Sequence, residues 1–253
     1  MSSSLPFLFV TDLDNTLVGD NQTLTLLNRH LQHHRTTYGT KIVYSTGRSL
    51  TSYQQLRQEQ QLLNPDALIT SVGCEIYHQN SQNPDPAWSE ILNPGWNRQL
   101  VITTAAEFSQ LIPQPEPEQR PYKISYFLTP KDAKNILPKL EKNLQKQNLK
   151  IKLIYSSNKD LDIIPEQADK GQAMQYLRKK WQISSSQTVV CGDSGNDIAM
   201  FNTGTQKGII VGNAQPELLN WHKTNPSPNH YLAKATCAGG ILEGLKHFQF
   251  LST

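Results

Sequence analysis

The chain has 253 residues, which is enough for one large domain or two modest ones with a substantial core. Its composition is globular, with 37% hydrophobic and 18% charged residues. The net charge of +3 is small and dispersed, without a run of Lys and Arg between aromatic residues, which argues against a nucleic-acid-binding protein.

Cysteine usage and the amino terminus indicate a cellular compartment. Cys74, Cys191 and Cys237 lie far apart, and an odd number without metal-ligand spacing indicates reduced thiols. The first ten residues lack the basic region of a signal peptide, and their short apolar run ends at Asp12. No apolar stretch approaches the roughly 20 residues that span a bilayer. We therefore expect a cytoplasmic protein that binds neither nucleic acid nor membrane.

Hydrophobic periodicity predicts alternating strands and helices in the first third of the chain. The predicted elements are a strand over 7–10, a helix marked by Leu24, Leu27 and Leu31, a strand over 41–47, a helix over 49–63 with Ser49 as N-cap, and a strand over 67–73. Such alternation is typical of a parallel sheet wound by helices.

The same alternation returns after residue 158, and the segment between differs. The later elements are a helix over 170–181, a strand over 188–193, a helix over 196–202, a strand over 208–212, and helices over 216–222 and 239–248. Residues 79–158 are richer in proline and predict a helix over 97–112, a strand over 122–128, a helix over 131–147 and a strand over 149–157. We therefore predict an α/β fold. Residues 1–78 and 159–253 form its doubly wound, Rossmann-like parallel-sheet core, and residues 79–158 form an inserted α+β cap domain.

Four polar clusters fall where predicted strands end or helices begin. They are Asp12-x-Asp14-x-Thr16, Thr46-Gly47-Arg48, Lys170-Gly171 and the run from Gly192 to Asp197. In an open wound sheet the active crevice lies beyond the carboxyl ends of the strands, so Asp12, Asp14 and Asp193 are expected to converge with a lysine and a threonine hydroxyl. Crowded carboxylates repel one another, and a divalent cation removes that repulsion. Oxygen ligands without His or Cys favour Mg²⁺.

Each cluster alone has a common structural explanation. An isolated D-x-D-x-T is usually a turn whose side chains cap a helix, and Ser-Thr-Gly-Arg is usually a turn. A GDSGND run is more often a solvated loop, and a lysine at a helix start usually lies on the surface. The ordered placement of all four clusters beside predicted strands and helix starts favours a catalytic site.

The ordered set resembles the haloacid-dehalogenase-like phosphohydrolases. Asp12-Leu13-Asp14-Asn15-Thr16 matches their first motif, Thr46 the second, Lys170 the third, and the GDSGND run the fourth. The resemblance covers the whole chain, because the insertion between the second and third motifs matches the position of the larger α/β cap of that superfamily.

The flanking sequences are similar to the sucrose-phosphate phosphatases of cyanobacteria and plants. They are "DLDNTLVGD", "YSTGRSL", "TSVGCEIY", "KISYFL" and "DLDIIPEQADKGQAMQYL". Two positions depart from the family pattern, which usually has threonine at Cys74 and glycine at Asp169. Neither departure removes a catalytic group, but Asp169 places a carboxylate beside the phosphate-binding lysine, which is expected to alter substrate affinity.

The resemblance implies a mechanism with a phosphorylated aspartate. Asp12 attacks phosphorus, while Mg²⁺ is held by the Asp12 side chain, the Asp14 backbone carbonyl and Asp193. Thr46 and Lys170 bind the phosphoryl oxygens. Asn196 and Asp197 are expected to orient Lys170 and metal-bound water.

Further residues are assigned to substrate binding and acid–base chemistry. The Asp14 side chain is expected to protonate the leaving oxygen and then to activate water, which indicates hydrolysis rather than a long-lived phosphoenzyme. Gly47 and Arg48, next to Thr46, are expected to contact substrate with Asn196.

The cap is expected to cover the crevice and to bind the group attached to the phosphate. Strand alternation puts Lys123, Ser125 and Phe127 on one face. Lys123 and Ser125, with Tyr126, are candidates for hydrogen bonds to sugar hydroxyls. Without the resemblance, a strand with one wet face explains this pattern equally well.

The preferred substrate is sucrose 6-phosphate, giving sucrose and phosphate in the last step of sucrose synthesis. Another sugar-phosphate phosphatase, such as a mannosylglycerate-type enzyme, or a phosphomutase is the alternative within the enzyme class. A catalytically inert partner of a sucrose-phosphate synthase is an alternative from another class, although the presence of every motif residue argues against it. For the enzyme itself, the expected ligand is a small-molecule sugar phosphate, and a sucrose-phosphate synthase is a candidate protein partner.

Overall fold

The computed structural model describes residues 5–79 and 81–251, and in these ranges the chain forms eleven β-strands and nine α-helices. The strands are β1 (Leu8–Thr11), β2 (Lys41–Ser45), β3 (Ala67–Thr70), β4 (Glu75–His78), β5 (Ile112–Pro113), β6 (Ile124–Phe127), β7 (Ile151–Ser156), β8 (Asp160–Pro165), β9 (Thr188–Gly192), β10 (Lys207–Ile210) and β11 (His230–Leu232). The helices are α1 (Asn21–Tyr38), α2 (Leu50–Glu59), α3 (Pro86–Leu92), α4 (Arg98–Ala105), α5 (Pro130–Lys146), α6 (Lys170–Lys180), α7 (Ile198–Asn202), α8 (Pro216–Thr224) and α9 (Cys237–His247). Residues 1–4, 80, 252 and 253 of the predicted domains lie outside the described residues.

The first sheet has seven strands in the order β11-β10-β9-β1-β2-β3-β4. All neighbouring pairs are parallel except β3 with β4. The central strand β1 lies between β2 and β9, with Leu8 opposite Lys41 on one side and Thr188 on the other. The chain thus returns to its first strand after about 180 residues, and the strand order reverses at β1.

Apolar side chains alternate between the two faces of this sheet. Phe9 of β1 packs in a cluster with residues of α1, α2 and α9. Leu8 and Val10 pack on the opposite face with residues of α3, α6, α7 and α8. Burial of both faces explains the continuous apolar run of β1 and confirms the predicted doubly wound α/β fold.

Helix ends agree with local sequence signals. Ser49 is the N-cap of α2, as predicted, and its hydroxyl accepts a hydrogen bond from the backbone N–H of Ser52. Asp20 caps α1 in the same way, and Gly39 ends that helix in the left-handed conformation, with φ of 82°.

The second sheet has four strands in the order β5-β6-β8-β7, and all of its pairs are antiparallel. Its apolar face packs with α4 and α5 around Ile124, Tyr126, Leu161 and Ile163. The expected boundary at residue 158 separates β7 from β8, but the pairing places β8 in the second sheet. The reason is long-range hydrogen bonding, which a local pattern does not reveal.

The structure also differs from the expected boundary at residue 79, because α3 follows that residue but packs with the core rather than with the second sheet. Helix α3 packs on the first sheet: Trp88 contributes to its apolar cluster, and its indole N–H donates to the Gly73 carbonyl at 3.0 Å. The predicted helix over 97–112 ends at Ala105, and Ile112 lies in β5.

None of the nine helices in the described ranges is both long and apolar enough to cross a membrane.

Candidate active site

Three neighbouring strands of the first sheet end at one crevice. Asp12 directly follows β1, Thr46 follows β2, and Asp193 follows β9. Because these strands are parallel and adjacent, their carboxyl ends bring together residues up to 181 positions apart. The structure therefore places Asp12 and Asp193 side by side, as the sequence predicts.

Lys170 lies beneath this crevice, at the first position of α6, and its side chain is fully buried. Its Nζ donates to Oδ1 of Asp12 at 2.6 Å and to Oδ1 of Asp197 at 2.7 Å. Burial alone would lower the pKa of Lys170, but the two carboxylates outweigh it and raise that pKa. Lys170 is therefore a charged ammonium held between two carboxylates.

Both carboxylate oxygens of Asp197 accept hydrogen bonds from other groups of the protein. Its Oδ2 accepts from the backbone N–H groups of Asp193 and Ser194, both at 3.0 Å. Gly192 permits this approach, because a Cβ there would lie 2.5 Å from the Asp197 Cβ. Asp197 thus orients both Lys170 and the loop that carries Asp193.

The carboxylates of Asp12, Asp193 and Asp197 form a buried acidic group in which one oxygen of each lies within 4.8 Å of one oxygen of the others. Oδ1 of Asp193 accepts from the Thr16 hydroxyl at 3.0 Å. Burial, together with the nearby Asp197, raises the pKa of Asp193 to about 7. Burial also raises the pKa of Asp12, against the opposing effect of Lys170. This clustering of oxygen ligands could hold a divalent cation.

The Asp14 side chain is paired with Arg48. Arg48 donates to both of its carboxylate oxygens, Nε to Oδ2 and Nη2 to Oδ1, each at 2.8 Å. The Arg48 guanidinium also donates to the Ser52 hydroxyl at 2.9 Å. The structure thus joins Asp14 and Arg48, assigned separately to acid–base chemistry and substrate binding, in a bidentate ion pair.

The remaining predicted residues of the core lie around the same crevice. The Thr46 hydroxyl is buried and accepts from the Arg48 backbone N–H at 3.1 Å. Gly47 and Asn196 line the crevice. The Asn196 amide oxygen accepts a long 3.4 Å hydrogen bond from the Ser194 hydroxyl. Neither Asn196 nor Thr46 contacts Lys170 through a hydrogen bond among the described residues.

The crevice has a cavity volume of about 630 Å³ and lies between the first and second sheets. Lys123 enters it from the second sheet, although only 2% of its surface is exposed. Its Nζ donates to the Gly47 carbonyl at 3.2 Å and to Glu118 at 3.4 Å, and lies 3.5 Å from Asp162. Burial would lower the pKa of Lys123, but these carboxylates raise it.

Ser125 is also buried, and its hydroxyl donates to Oδ1 of Asp162 at 2.6 Å. Glu118 accepts from the backbone N–H and the hydroxyl of Ser49, both at 3.1 Å, and thereby joins the connection between β5 and β6 to the start of α2. Sequence analysis did not single out Glu118 or Asp162. The alternation of "DLDIIP" was a signal for Asp162, whereas Glu118 lies in a proline-rich segment without periodicity.

The two departures from the family pattern have structural explanations. Asp169 is the N-cap of α6, where Oδ1 accepts from the Gln172 N–H at 2.7 Å, and Oδ2 accepts from Lys152 of β7 at 2.5 Å. It therefore connects β7 of the second sheet to the start of α6, while the Lys170 ammonium donates to Asp12 and Asp197 instead. The Cys74 thiol is buried and donates to the Tyr122 carbonyl at 3.1 Å, and burial raises its pKa.

The family model of sucrose-6F-phosphate phosphohydrolase matches residues 5–249 of the chain. The chain belongs to this family. Its sequence is 42% identical to probable sucrose-phosphatase 2 of Arabidopsis thaliana over 98% of the chain, and 33% identical to mannosylfructose-phosphate phosphatase of Agrobacterium fabrum over 95% of it. Among solved structures, the sucrose-phosphatase of Synechocystis sp. PCC6803, in complex with sucrose and phosphate, matches 98% of the chain with a TM-score of 0.91 and 42% identity.

The three relatives differ in the share of their length that the chain covers. The chain spans 61% of the Arabidopsis protein, 96% of the Agrobacterium protein and all of the Synechocystis chain. The fold is therefore shared with the Synechocystis sucrose-phosphatase over nearly the full length of both chains.

Proposed function

We propose that this protein is a Mg²⁺-dependent phosphatase that hydrolyses sucrose 6-phosphate to sucrose and phosphate through an aspartyl-phosphate. The observation that carries the proposal is the buried contact of Asp12 with Lys170 at the floor of the crevice. A carboxylate held by an ammonium at the ends of three parallel strands is arranged for attack on a phosphate. Membership of the sucrose-6F-phosphate phosphohydrolase family supports the reaction and the substrate.

Asp12 is the proposed nucleophile. Among the described residues, Lys170 binds Asp12 through Oδ1, which leaves Oδ2 for attack on phosphorus. The new bond joins this oxygen to phosphorus as the bond from phosphorus to the sugar oxygen breaks. Lys170 and the Thr46 hydroxyl stabilise negative charge on the phosphoryl oxygens.

The acidic group fits a divalent cation by the chemistry of its donors. Asp197 has its oxygens occupied by Lys170 and two backbone N–H groups, so Asp12 and Asp193 are the side chains that would hold Mg²⁺, with the Asp14 carbonyl as the predicted third ligand. When bound, Mg²⁺ neutralises charge between the nucleophile and the phosphate.

Asp14 is the proposed acid and base. In its protonated form it gives a proton to the departing sugar oxygen, and its carboxylate then takes a proton from the water that attacks the aspartyl-phosphate. The water oxygen becomes part of inorganic phosphate, and Asp12 is regenerated. The Arg48 guanidinium donates to both carboxylate oxygens and so holds the Asp14 side chain at the crevice.

The second sheet is the proposed sugar-binding cap. Lys123, Glu118, Ser125 and Asp162 present donors and acceptors next to the crevice. Sugar hydroxyls can replace the long contacts of Lys123 when substrate enters. Association with a sucrose-phosphate synthase and a cytoplasmic location stay predictions from the sequence.

The test is steady-state phosphate release with Mg²⁺ and a panel of sugar phosphates, without a bisphosphate activator. We expect turnover of sucrose 6-phosphate at an ordinary enzymatic rate, on the order of 1–10³ s⁻¹. Dependence on an added bisphosphate would instead indicate a phosphomutase, and absence of turnover on every substrate an inert partner protein.

Mannosylfructose phosphate is the second candidate substrate. The Agrobacterium relative named for it matches the chain over 96% of its own length, compared with 61% for the Arabidopsis relative. Comparing kcat/KM for the two disaccharide phosphates decides between them.

A further inference from the structure

A second cavity, with a volume of about 200 Å³, lies between α2 and the edge of the first sheet that β3 and β4 form. Its walls include Leu50, Tyr53 and Arg57 of α2, Leu68 of β3 and Tyr77 of β4. No described residue lines both this cavity and the active crevice, so the two are separate. The volume corresponds to about seven water molecules, which is room for a small organic molecule.

Arg57 supplies positive charge to this cavity. Among the described residues that line it there is no Asp or Glu. Arg48 donates to a carboxylate, whereas Arg57 makes no hydrogen bond or ion pair with a described residue. His78, the other basic residue of the lining, lies 2.7 Å from the Asp85 carboxylate, which Lys180 also contacts at 2.7 Å. The guanidinium of Arg57 is therefore available to an anion.

Tyr53 adds a hydrogen-bond donor one helical turn before Arg57. Its side chain is 4% exposed, and its hydroxyl has no hydrogen-bond partner among the described residues. A buried hydroxyl without a partner is destabilising, and a bound acceptor would remove that cost. Residues four positions apart lie on the same side of a helix. Burial raises the pKa of Tyr53 and Arg57 opposes the rise, as expected for neighbouring groups.

The end of the helix limits the charge of the ligand. Arg57 lies in the last turn of α2, where the helix dipole places partial negative charge. A single guanidinium beside that end suits one negative charge better than the double charge of a phosphate ester. Leu50, Pro65 and Leu68 provide apolar surface for the rest of the ligand. These features fit a small monocarboxylate with an apolar body.

Helix α2 also joins this cavity to the active crevice. At its start, Ser49 donates to Glu118, and the Ser52 hydroxyl accepts from the Arg48 guanidinium at 2.9 Å. Arg48 in turn holds the proposed acid and base. Eight residues of helix separate Ser49 from Arg57, which corresponds to about 12 Å. A ligand that fixes one end of this short helix therefore affects the contacts at its other end.

We propose that this cavity is a regulatory site for a small monocarboxylate, which Arg57 and Tyr53 bind and which acts on the active crevice through α2. The probe is benzoate. Its ring suits the apolar surface, and its carboxylate can accept two hydrogen bonds from a guanidinium. Benzamide, which has a similar shape without the charge, is the matched control ligand.

Binding is measured by NMR titration of the isotopically labelled protein without substrate. Benzoate should shift the amide signals of residues 50–57 and 64–68, and benzamide should bind more weakly. Arg57→Gln should raise Kd about tenfold or more, because a charged hydrogen bond is lost, and Tyr53→Phe about threefold. Arg29→Gln is the matched control, since Arg29 is an exposed arginine of α1 that lines neither cavity, and its Kd should equal that of the wild type.

Regulation is measured as KM for the sugar phosphate with and without saturating benzoate. We expect a change of roughly fivefold in the wild type and in Arg29→Gln, and none in Arg57→Gln. Without benzoate, Arg57→Gln should keep the wild-type kcat.

Two results would overturn the site: a Kd for benzoate that Arg57→Gln leaves unchanged, or signal shifts confined to the crevice. Binding at the cavity with unchanged kcat and KM would overturn the regulatory role. A wild type without phosphatase activity would contradict the proposed function alone, because the titration does not depend on turnover.

Discussion

The crevice has two buried lysines, one on each side, and their surroundings differ. The floor, defined as Asp12, Lys170, Asp193 and Asp197, has contacts of 2.6 and 2.7 Å to its ammonium. The roof, defined as Glu118, Lys123, Ser125 and Asp162, has ammonium contacts of 3.2 to 3.5 Å. Short contacts preorganise the floor for one reaction, whereas longer contacts leave the roof free to exchange partners with a sugar.

The largest effect is expected for substitutions of the two motif-one aspartates. Asp12→Asn removes the nucleophile and should lower kcat by on the order of 10⁴–10⁶-fold. Asp14→Asn keeps the nucleophile but loses the acid and base, with a loss of ~10²–10⁴-fold. Rapid-quench labelling with an activated aryl phosphate should label Asp14→Asn persistently and leave Asp12→Asn unlabelled. Label in Asp12→Asn would mean that another residue is the nucleophile.

The next effect compares the two lysines directly. Lys170→Met leaves two buried carboxylates without their cation, and the free energy of unfolding should fall by about 3–5 kcal/mol. Lys123→Met breaks longer contacts and should cost about 1–3 kcal/mol. Urea denaturation of both variants measures the difference. An equal or larger loss for Lys123→Met would contradict the distinction between floor and roof.

The floor should also respond to pH near neutrality. Asp193 has a pKa of about 7 in the metal-free protein, so its proton must leave before it binds Mg²⁺. Between pH 8 and pH 6 the apparent dissociation constant for Mg²⁺ should rise about tenfold, because the ionised fraction of Asp193 falls. Calorimetric titration at the two pH values checks this. Glu118→Gln, a change in the roof, should keep the same pH dependence, whereas Asp193→Asn should reduce it to the part that Asp12 contributes.

The raised pKa of Asp193 also affects stability without metal. The folded state keeps this proton up to about pH 7, whereas the unfolded state loses it near the ordinary aspartate pKa of about 4. The contribution of Asp193 to stability is therefore complete below about pH 4 and is lost as the pH rises towards 7.

The smallest effect is expected for Ser125→Ala in the roof. It removes the 2.6 Å hydrogen bond that holds the Asp162 carboxylate, and it should raise KM for the sugar phosphate several-fold, since the net contribution of one hydrogen bond is about 0.5–1.5 kcal/mol. Hydrolysis of p-nitrophenyl phosphate is the control, and its KM should change less. Equal losses on both substrates would show that Ser125 serves folding rather than sugar recognition.

The residues of the floor could be predicted from the sequence because each lies beside a local pattern. Asp12 and Asp193 each follow a continuous apolar strand, and parallel pairing brings such strand ends together. The N-cap at Ser49 was likewise recognisable from its neighbours. These residues were predicted from patterns that span fewer than ten positions.

The Asp14–Arg48 pair, the sheet that contains β8 and the position of Glu118 could not be predicted in this way, because they depend on contacts between residues far apart in the sequence. Arg48 and Asp14 lie on different loops, 34 positions apart, and their pairing follows from the adjacency of β1 and β2. The membership of β8 in the second sheet depends on hydrogen bonds to β6, more than 30 residues earlier. Glu118 contacts Ser49 across 69 positions, from a segment without periodicity. The contacts of the roof, and the sheets with which α3 and β8 associate, therefore follow from tertiary structure.

The place of β1 between β2 and β9 has a consequence during synthesis on the ribosome. Strand β9 begins about 180 residues after β1, and a ribosome needs roughly 10–40 s to translate that length at 5–20 residues per second. During this interval one edge of the apolar strand β1 lacks its native neighbour and can pair with other chains. The nascent protein thus depends on chaperones or on a rapidly formed partial core until its last quarter emerges.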